Sequence, residues 1–284
     1  MFKKPIWRHI LIGFAWLVSL SGLITLMSFI EIKKAEMVCK DVKIYIPGNQ
    51  YFIDKQQVEG ILRFSSNTLV GRKLDNIDIH DLERKLKANP FVESAKVYAD
   101  MDGIVWIEVT QRQPIMRIMN QFDQDFYVDE HGLKLPLSDN FTANVLAANG
   151  YIDERFSGKV DTLKTLLAKD IFKTISFIRK DSLWDAQIAQ VYVNERHEIE
   201  LIPRVGNQRI LLGNADSLET KFHNLMVFYK QALPQVGWDA YKTINIKYSN
   251  QIIGIKNSKE DSLRLSKPVV DTAGLKTDTS LIKH

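Results

Sequence analysis

Asp129-Glu130-His131 sets two carboxylates beside an imidazole, the raw material of a general-base pair. Gly132 follows directly, and that order reads as a hairpin turn rather than a catalytic group. His9, His80, His131, His197, His223 and His284 are scattered along the chain, and no His-Glu-x-x-His occurs. Gly-x-Ser-x-Gly, a Walker loop and Gly-x-Gly-x-x-Gly do not occur either. Asp100, Asp102, Asp123, Asp125 and Asp129 offer calcium-type oxygens, but their spacing fits no EF-hand loop and suits strand-end turns. Trp106, Trp184 and Trp238 fall on separate predicted elements, so they build no stacking platform for a glycan. Cys39 is the only cysteine, which excludes an intrachain disulfide and a multi-cysteine zinc site and leaves an inert thiol. The expectation is a protein with no catalysis, metal or cofactor; an envelope hydrolase stands as a third reading.

Without chemistry of its own, the chain must act by binding. The net charge of +4 is spread over interleaved acids and bases. Nucleic acid needs a concentrated cationic face, and this sequence lacks one. No motif points to a small-molecule substrate.

The segment Ile10–Ile30, "ILIGFAWLVSLSGLITLMSFI", carries no charge over 21 residues and includes Trp16. As a helix it spans ~31 Å, matching a hydrocarbon core of ~30 Å. The sequence therefore predicts a single transmembrane helix over 10–30 behind a cytoplasmic tail, 1–9. Lys3, Lys4 and Arg8 precede it without an acid, and residues 31–40 mix signs, which keeps the N-terminus inside and the bulk in the periplasm. "MSFIEIKKAEM" offers no Ala-x-Ala cleavage site, so an uncleaved anchor is expected rather than a signal peptide.

The elements beyond the anchor follow from periodicity. A strand over Val38–Ile46 ends at Pro47-Gly48-Asn49-Gln50. Asp54 and Gln57 have capping-box spacing ahead of Val58, Ile61 and Leu62. A second helix starts near Asp78 with Ile79, Leu82 and Leu86 on one face, and Asn89-Pro90 stops it. Ala95 and Val97 then face Val105, Ile107 and Val109 across the Asp100–Gly103 turn. That order, β-α-α-β-β within residues 31–113, places two helices on one face of a small sheet.

From 114 to 256 the pattern is mostly strands. They are expected at Ile115–Met119, Phe126–Val128, Leu133–Leu137, Val145–Ala148, Ile188–Val193, Glu198–Ile202 and Arg209–Leu212. Helices are expected at Val160–Ile178 and Asp216–Leu233. A last hairpin pairs Thr243–Tyr248 with Gln251–Lys256 around Ser249-Asn250. Residues 257–284 are polar and poor in aromatics, the composition of a disordered tail. The fold class is α+β: one membrane helix, a POTRA-like unit, and a mixed β-rich domain with two helices.

Four stretches in this order resemble the bacterial cell-division family FtsQ/DivIB. "NPFVESAKV" with "VWIEVTQRQPIMRI" is similar to the end of that family's POTRA domain, and "FYVDEHGLKLPL" to its V-D-x-x-G-x hairpin. "ILLGNADSLETKFHNL" resembles its L-G…L…K-L segment, and "TINIKYSNQIIGIK" its closing D-L-R-Y hairpin. The resemblance covers about residues 5–256. It departs at Gln111, where the family has an acid before the Arg, and at Asn245 and Lys247, where it has Asp and Arg. The resemblance implies a non-catalytic scaffold of the division septum in the inner membrane. It also implies FtsB-like and FtsL-like bitopic partners, and through them the septal synthase pair FtsW and FtsI, with the last hairpin as docking surface.

The residues make that docking physically sensible. Ile252, Ile253 and Ile255 are apolar in a final strand that can lie at a sheet edge, where unpaired backbone groups invite another strand. Gly254 would allow close approach, and Tyr248 beside Ser249 is an amphipathic anchor of the kind that dominates interfaces. The alternative is an interior hairpin with Tyr248 as a core ring. A rival function is a POTRA-type chaperone, or a secretion or outer-membrane assembly accessory. A barrel, however, needs many ~10-residue strands, more than residues 114–256 supply.

Overall fold

The computed structural model describes residues 6–35, 37–48, 51–66 and 69–257. The predicted disordered tail lies outside them except for Asn257. In chain order the helices are α1 (Ile6–Ala35), α2 (Lys55–Ser66), α3 (Ile79–Lys87), α4 (Leu166–Lys180), α5 (Ser182–Gln187), α6 (Leu218–Gln231) and α7 (Leu233–Val236). The first eight strands are β1 (Asp41–Tyr45), β2 (Val92–Ala99), β3 (Ile104–Gln111), β4 (Pro114–Met119), β5 (Asp125–Asp129), β6 (Leu133–Leu135), β7 (Leu146–Gly150) and β8 (Asp161–Thr162). The remaining five are β9 (Ile188–Val193), β10 (Ile199–Pro203), β11 (Arg209–Gly213), β12 (Tyr241–Asn245) and β13 (Ile253–Lys256).

Every described side chain from Leu11 to Leu26 on α1 is exposed. Thr25 returns its hydroxyl to the Ser21 and Gly22 carbonyls. Among the described residues no helix is long and apolar enough to cross a membrane. The predicted span, 10–30, runs beyond the described side chains at both ends.

The chain divides into two compact units, residues 1–145 with 154–164, and 146–153 with 165–284. The first unit opens with the predicted β-α-α-β-β order. Its sheet runs β1-β3-β2, with β1 parallel and β2 antiparallel to β3. Ala95 and Val97 pair with Val109 and Ile107, so one face carries an unbroken apolar surface. Val58, Leu62, Leu82 and Leu86 cover it and are buried. Helices α2 and α3 each start where a side chain satisfies free N–H groups. Gln57 N donates to Asp54 Oδ1 at 2.7 Å while Asp54 N donates to Gln57 Oε1, and Asp78 Oδ1 accepts from Asp81 N. The first strand is shorter than the predicted 38–46, because Cys39 exchanges backbone bonds with Gly71 and Arg72 instead. Cys39 is buried in this core, and burial pushes its thiol pKa up.

Pro114 begins β4 and pairs opposite Asp129. Antiparallel pairing continues through β5, β6 and β8. Phe52 joins this part to the start of the chain, with its ring 5.2 Å from Phe91, 5.8 Å from Tyr127 and 5.0 Å from Phe141. Lys134 and Glu154 are both buried and paired at 2.7 Å.

The predicted helix 160–178 starts late, at Leu166. Thr165 caps it by accepting from Ala168 N, and Asp161–Thr162 form β8 against β6. In the second unit the strand order is β13-β12-β11-β10-β9-β7. Val191, Val193, Ile199, Leu201, Ile210, Leu212 and Ile244 are buried, while Gln190, Tyr192, Glu200 and Leu211 between them are half-exposed. That alternation is a sheet covered on one face only. Ile171, Ile175 and Ile178 on α4, and Phe222 and Leu225 on α6, are buried at helical spacing. The domain holds more than two helices: the short α5 is capped by Asp181, whose carboxylate takes the Leu183 and Trp184 N–H groups. Trp184 then packs on Phe222 and Tyr229.

Candidate partner-docking edge

Strand β13 is the last in its order and pairs with β12 alone. The register is Asn245 to Ile253, Ile244 to Gly254 and Thr243 to Ile255. Among the described residues no strand lies on its other side. Residues 253–256 are all exposed, Ile253 at 42% and Ile255 at 54%. Ile253 and Ile255 share one face, so β13 presents two isoleucines beside a row of unpaired backbone groups.

Tyr248 and Ser249 do not lie in a strand. β12 stops at Asn245 and β13 starts at Ile253, which leaves 246–252 as a loop rather than a two-residue turn. The reason is local. Asn245 Oδ1 accepts from Lys247 N at 2.9 Å and bends the chain out of the ladder. Ile246 is buried, and its N–H donates to the Leu211 carbonyl at 2.9 Å. Tyr248 is 49% exposed, so it is not a core ring. Asn224 on α6 donates to the Ser249 carbonyl at 2.8 Å. Ile252 is half-buried and lines a groove of about 300 Å³ with Asn224, Val227 and Phe228. The six residues singled out from the sequence thus form one run, loop then edge strand.

Gly254 also serves its own sheet. A Cβ there would sit 2.5 Å from Tyr241 Cε1, so the glycine makes room for a ring of its own sheet. Tyr241 packs in turn against Phe228, the rings tilted with centroids 5.3 Å apart.

A polar cleft of about 840 Å³ adjoins the loop, lined by His197, Glu198, Asn214, Lys221, Lys247 and Tyr248. Lys221 is buried and donates to the Leu212 and Asn214 carbonyls and to Asn214 Oδ1. Three acceptors use its three protons, while burial holds its pKa below the usual lysine value. Glu198 forms an ion pair with Lys247. Neither Glu198 nor Tyr241 stood out in the sequence. Glu198 and Lys247 lie 49 positions apart, and only the strand order brings them together.

The other residues with chemical promise are committed to structure. Asp129 is buried and accepts from the His131 and Leu133 N–H groups and from Arg112, which makes Asp129-Glu130-His131 the corner of a hairpin. Asp100 serves the next hairpin back, taking Ile104 N, Asp102 N and the Trp106 indole; these bonds hold its pKa below the usual range. Gln111, where an acid was expected, is buried and accepts from Ile53 N at 3.0 Å without burying a charge.

Residues 37–110 match the family model of the POTRA-like domain, and residues 113–255 match the model described as FtsQ/DivIB, C-terminal related. The second match alone spans just over half of the chain. This chain belongs to the FtsQ/DivIB family. It is a division-associated protein that carries a POTRA-like domain. No curated protein matches it. The FtsQ/DivIB match ends at Ile255, so it takes in the loop and most of the edge strand. Within that match Asn245 Oδ1 caps the bend by accepting from Lys247 N, and the Lys247 ammonium pairs with Glu198.

Proposed function

We propose that this FtsQ/DivIB protein is a non-catalytic scaffold of the division septum. It docks FtsB-like and FtsL-like bitopic partners on β13 and, through them, regulates the FtsW/FtsI-like septal synthase. The helix α1 tethers it in the inner membrane, with residues 1–9 cytoplasmic and the folded units periplasmic. The exposed apolar run Leu11–Leu26 and the internal hydrogen bonds of Thr25 support that tether.

One observation carries the reading. Among the described residues strand β13 has a single neighbour, and it exposes two isoleucines on one face. A strand added by the partner satisfies the outer backbone groups, while its side chains read Ile253 and Ile255. Tyr248, half-exposed on a braced loop, supplies an aromatic anchor at one end. The test is a titration of the full-length chain in detergent against the full-length FtsB-like protein of the same organism. Tyr248→Ala and Ile252→Lys each weaken binding at least tenfold without changing the far-UV circular dichroism. Wild-type affinity in both variants removes the docking site.

A further inference from the structure

We infer that Glu198 and Lys247 act as positioning residues: their ion pair is a strut that fixes the 246–252 loop and so presents Tyr248. The inference rests on the docking reading above and adds the element that orders the docking loop.

The two groups come from different hairpins. Glu198 stands at the start of β10, and Lys247 sits two residues past the end of β12. Their contact is therefore a cross-tie between the loop and the body of the sheet. The stem of Lys247 has a defined seat. Gly213 adopts φ +83°, and a Cβ there would fall 2.8 Å from Lys247 Cγ, so the glycine leaves the channel along which the side chain runs. Behind it Lys247 N is tied to Asn245 Oδ1, and Ile246 is locked by burial and by Leu211. Both ends of the Lys247 side chain are thus fixed, and Tyr248 is the next residue.

The electrostatics agree with the geometry. The hydrogen bond from Lys247 holds the Glu198 carboxyl below the usual glutamate range, and the same contact raises Lys247. Glu198 also has Asn194 and Arg196 on its own side. Lys247, although 40% exposed, has its ammonium paired within its own chain, which makes Tyr248 the forward element of the loop.

The test uses the full-length chain and the full-length FtsB-like protein, with two readouts. Glu198→Gln and Lys247→Met each weaken binding roughly two- to fivefold, the range for a partly exposed pair, and the double variant loses no more than either alone. Both speed hydrogen exchange of the 246–252 amides in the free protein. The reversed pair, Glu198→Lys with Lys247→Glu, restores binding to within about twofold of wild type and restores the exchange rates. The strut is overturned if the reversed pair binds no better than Lys247→Met, because Lys247 then meets the partner directly. Unchanged loop exchange in the single variants overturns it too. Tyr248→Ala and Ile253→Asp in the same titration separate the two claims. If these weaken binding and the strut variants do not, only the strut falls. If they bind like wild type, the docking reading falls and the strut's role in presentation falls with it.

Discussion

Replacing Lys134 by Met should destabilise the first unit more than any surface change. Lys134 and Glu154 are each 1% exposed, with Nζ 2.7 Å from Oε1. At an effective dielectric of about 20 their attraction is about 6 kcal/mol. Desolvating two ions costs several kcal/mol each, so the intact pair contributes little net stability. Removing one partner is different. Glu154 would remain buried, keeping the Lys164 N–H on its second oxygen, and the Arg155 carbonyl would lose its bond to Nζ. The expected loss is about 3–5 kcal/mol. The carboxylate, rather than the missing stem, causes it. Lys134→Met with Glu154→Gln keeps an acceptor for Lys164, removes the charge and should recover at least half of the loss. Guanidinium unfolding of the full-length protein, followed by far-UV circular dichroism, measures both variants. A single variant within about 1 kcal/mol of wild type, or a double variant no better than the single, refutes the reasoning.

Tyr229 packs between Trp184 and Trp238, and burial pushes its hydroxyl up to about 12. A raised folded value means that its contribution is intact below the unfolded value near 10 and is lost between about 10 and 12 as pH rises. Tyr229→Phe should therefore flatten the alkaline limb of a stability–pH curve by on the order of 2 kcal/mol; an unchanged limb counts against it. Gly254→Ala collides with the Tyr241 ring and should cost about 1–3 kcal/mol. Adding Tyr241→Ala should return part of that loss in thermal melts, and a costless Gly254→Ala would contradict the packing. Asp54→Ala opens the capping box of α2 and should cost about 1 kcal/mol by urea titration, with Asp54→Asn retaining most of it.

The POTRA-like unit was legible because each signal was local. Capping spacings, the Asn89-Pro90 stop and alternating apolar residues around a tight turn all act within a few positions. The late start of α4 was not, because Leu163 continues the apolar period while the Thr165 cap breaks the helix there. The short α5 carries too few turns to show a period. At the docking edge the sequence located the segment but not its shape. Ile246 and Tyr248 look like alternating strand positions, yet one is buried and the other projects from a loop bent by Asn245. Nothing local links Gly254 to Tyr241, 13 positions away, because only the register of β12 against β13 sets where that ring falls. Glu198 was silent for the same reason.

Hydrogen–deuterium exchange of residues 253–256, in the full-length protein with and without its FtsB-like partner, tests the docking edge most directly. Strand addition predicts that these amides slow at least tenfold on binding while those of the POTRA-like sheet stay as they were. Binding that leaves 253–256 exchanging as fast as in the free protein, with protection elsewhere, would contradict it.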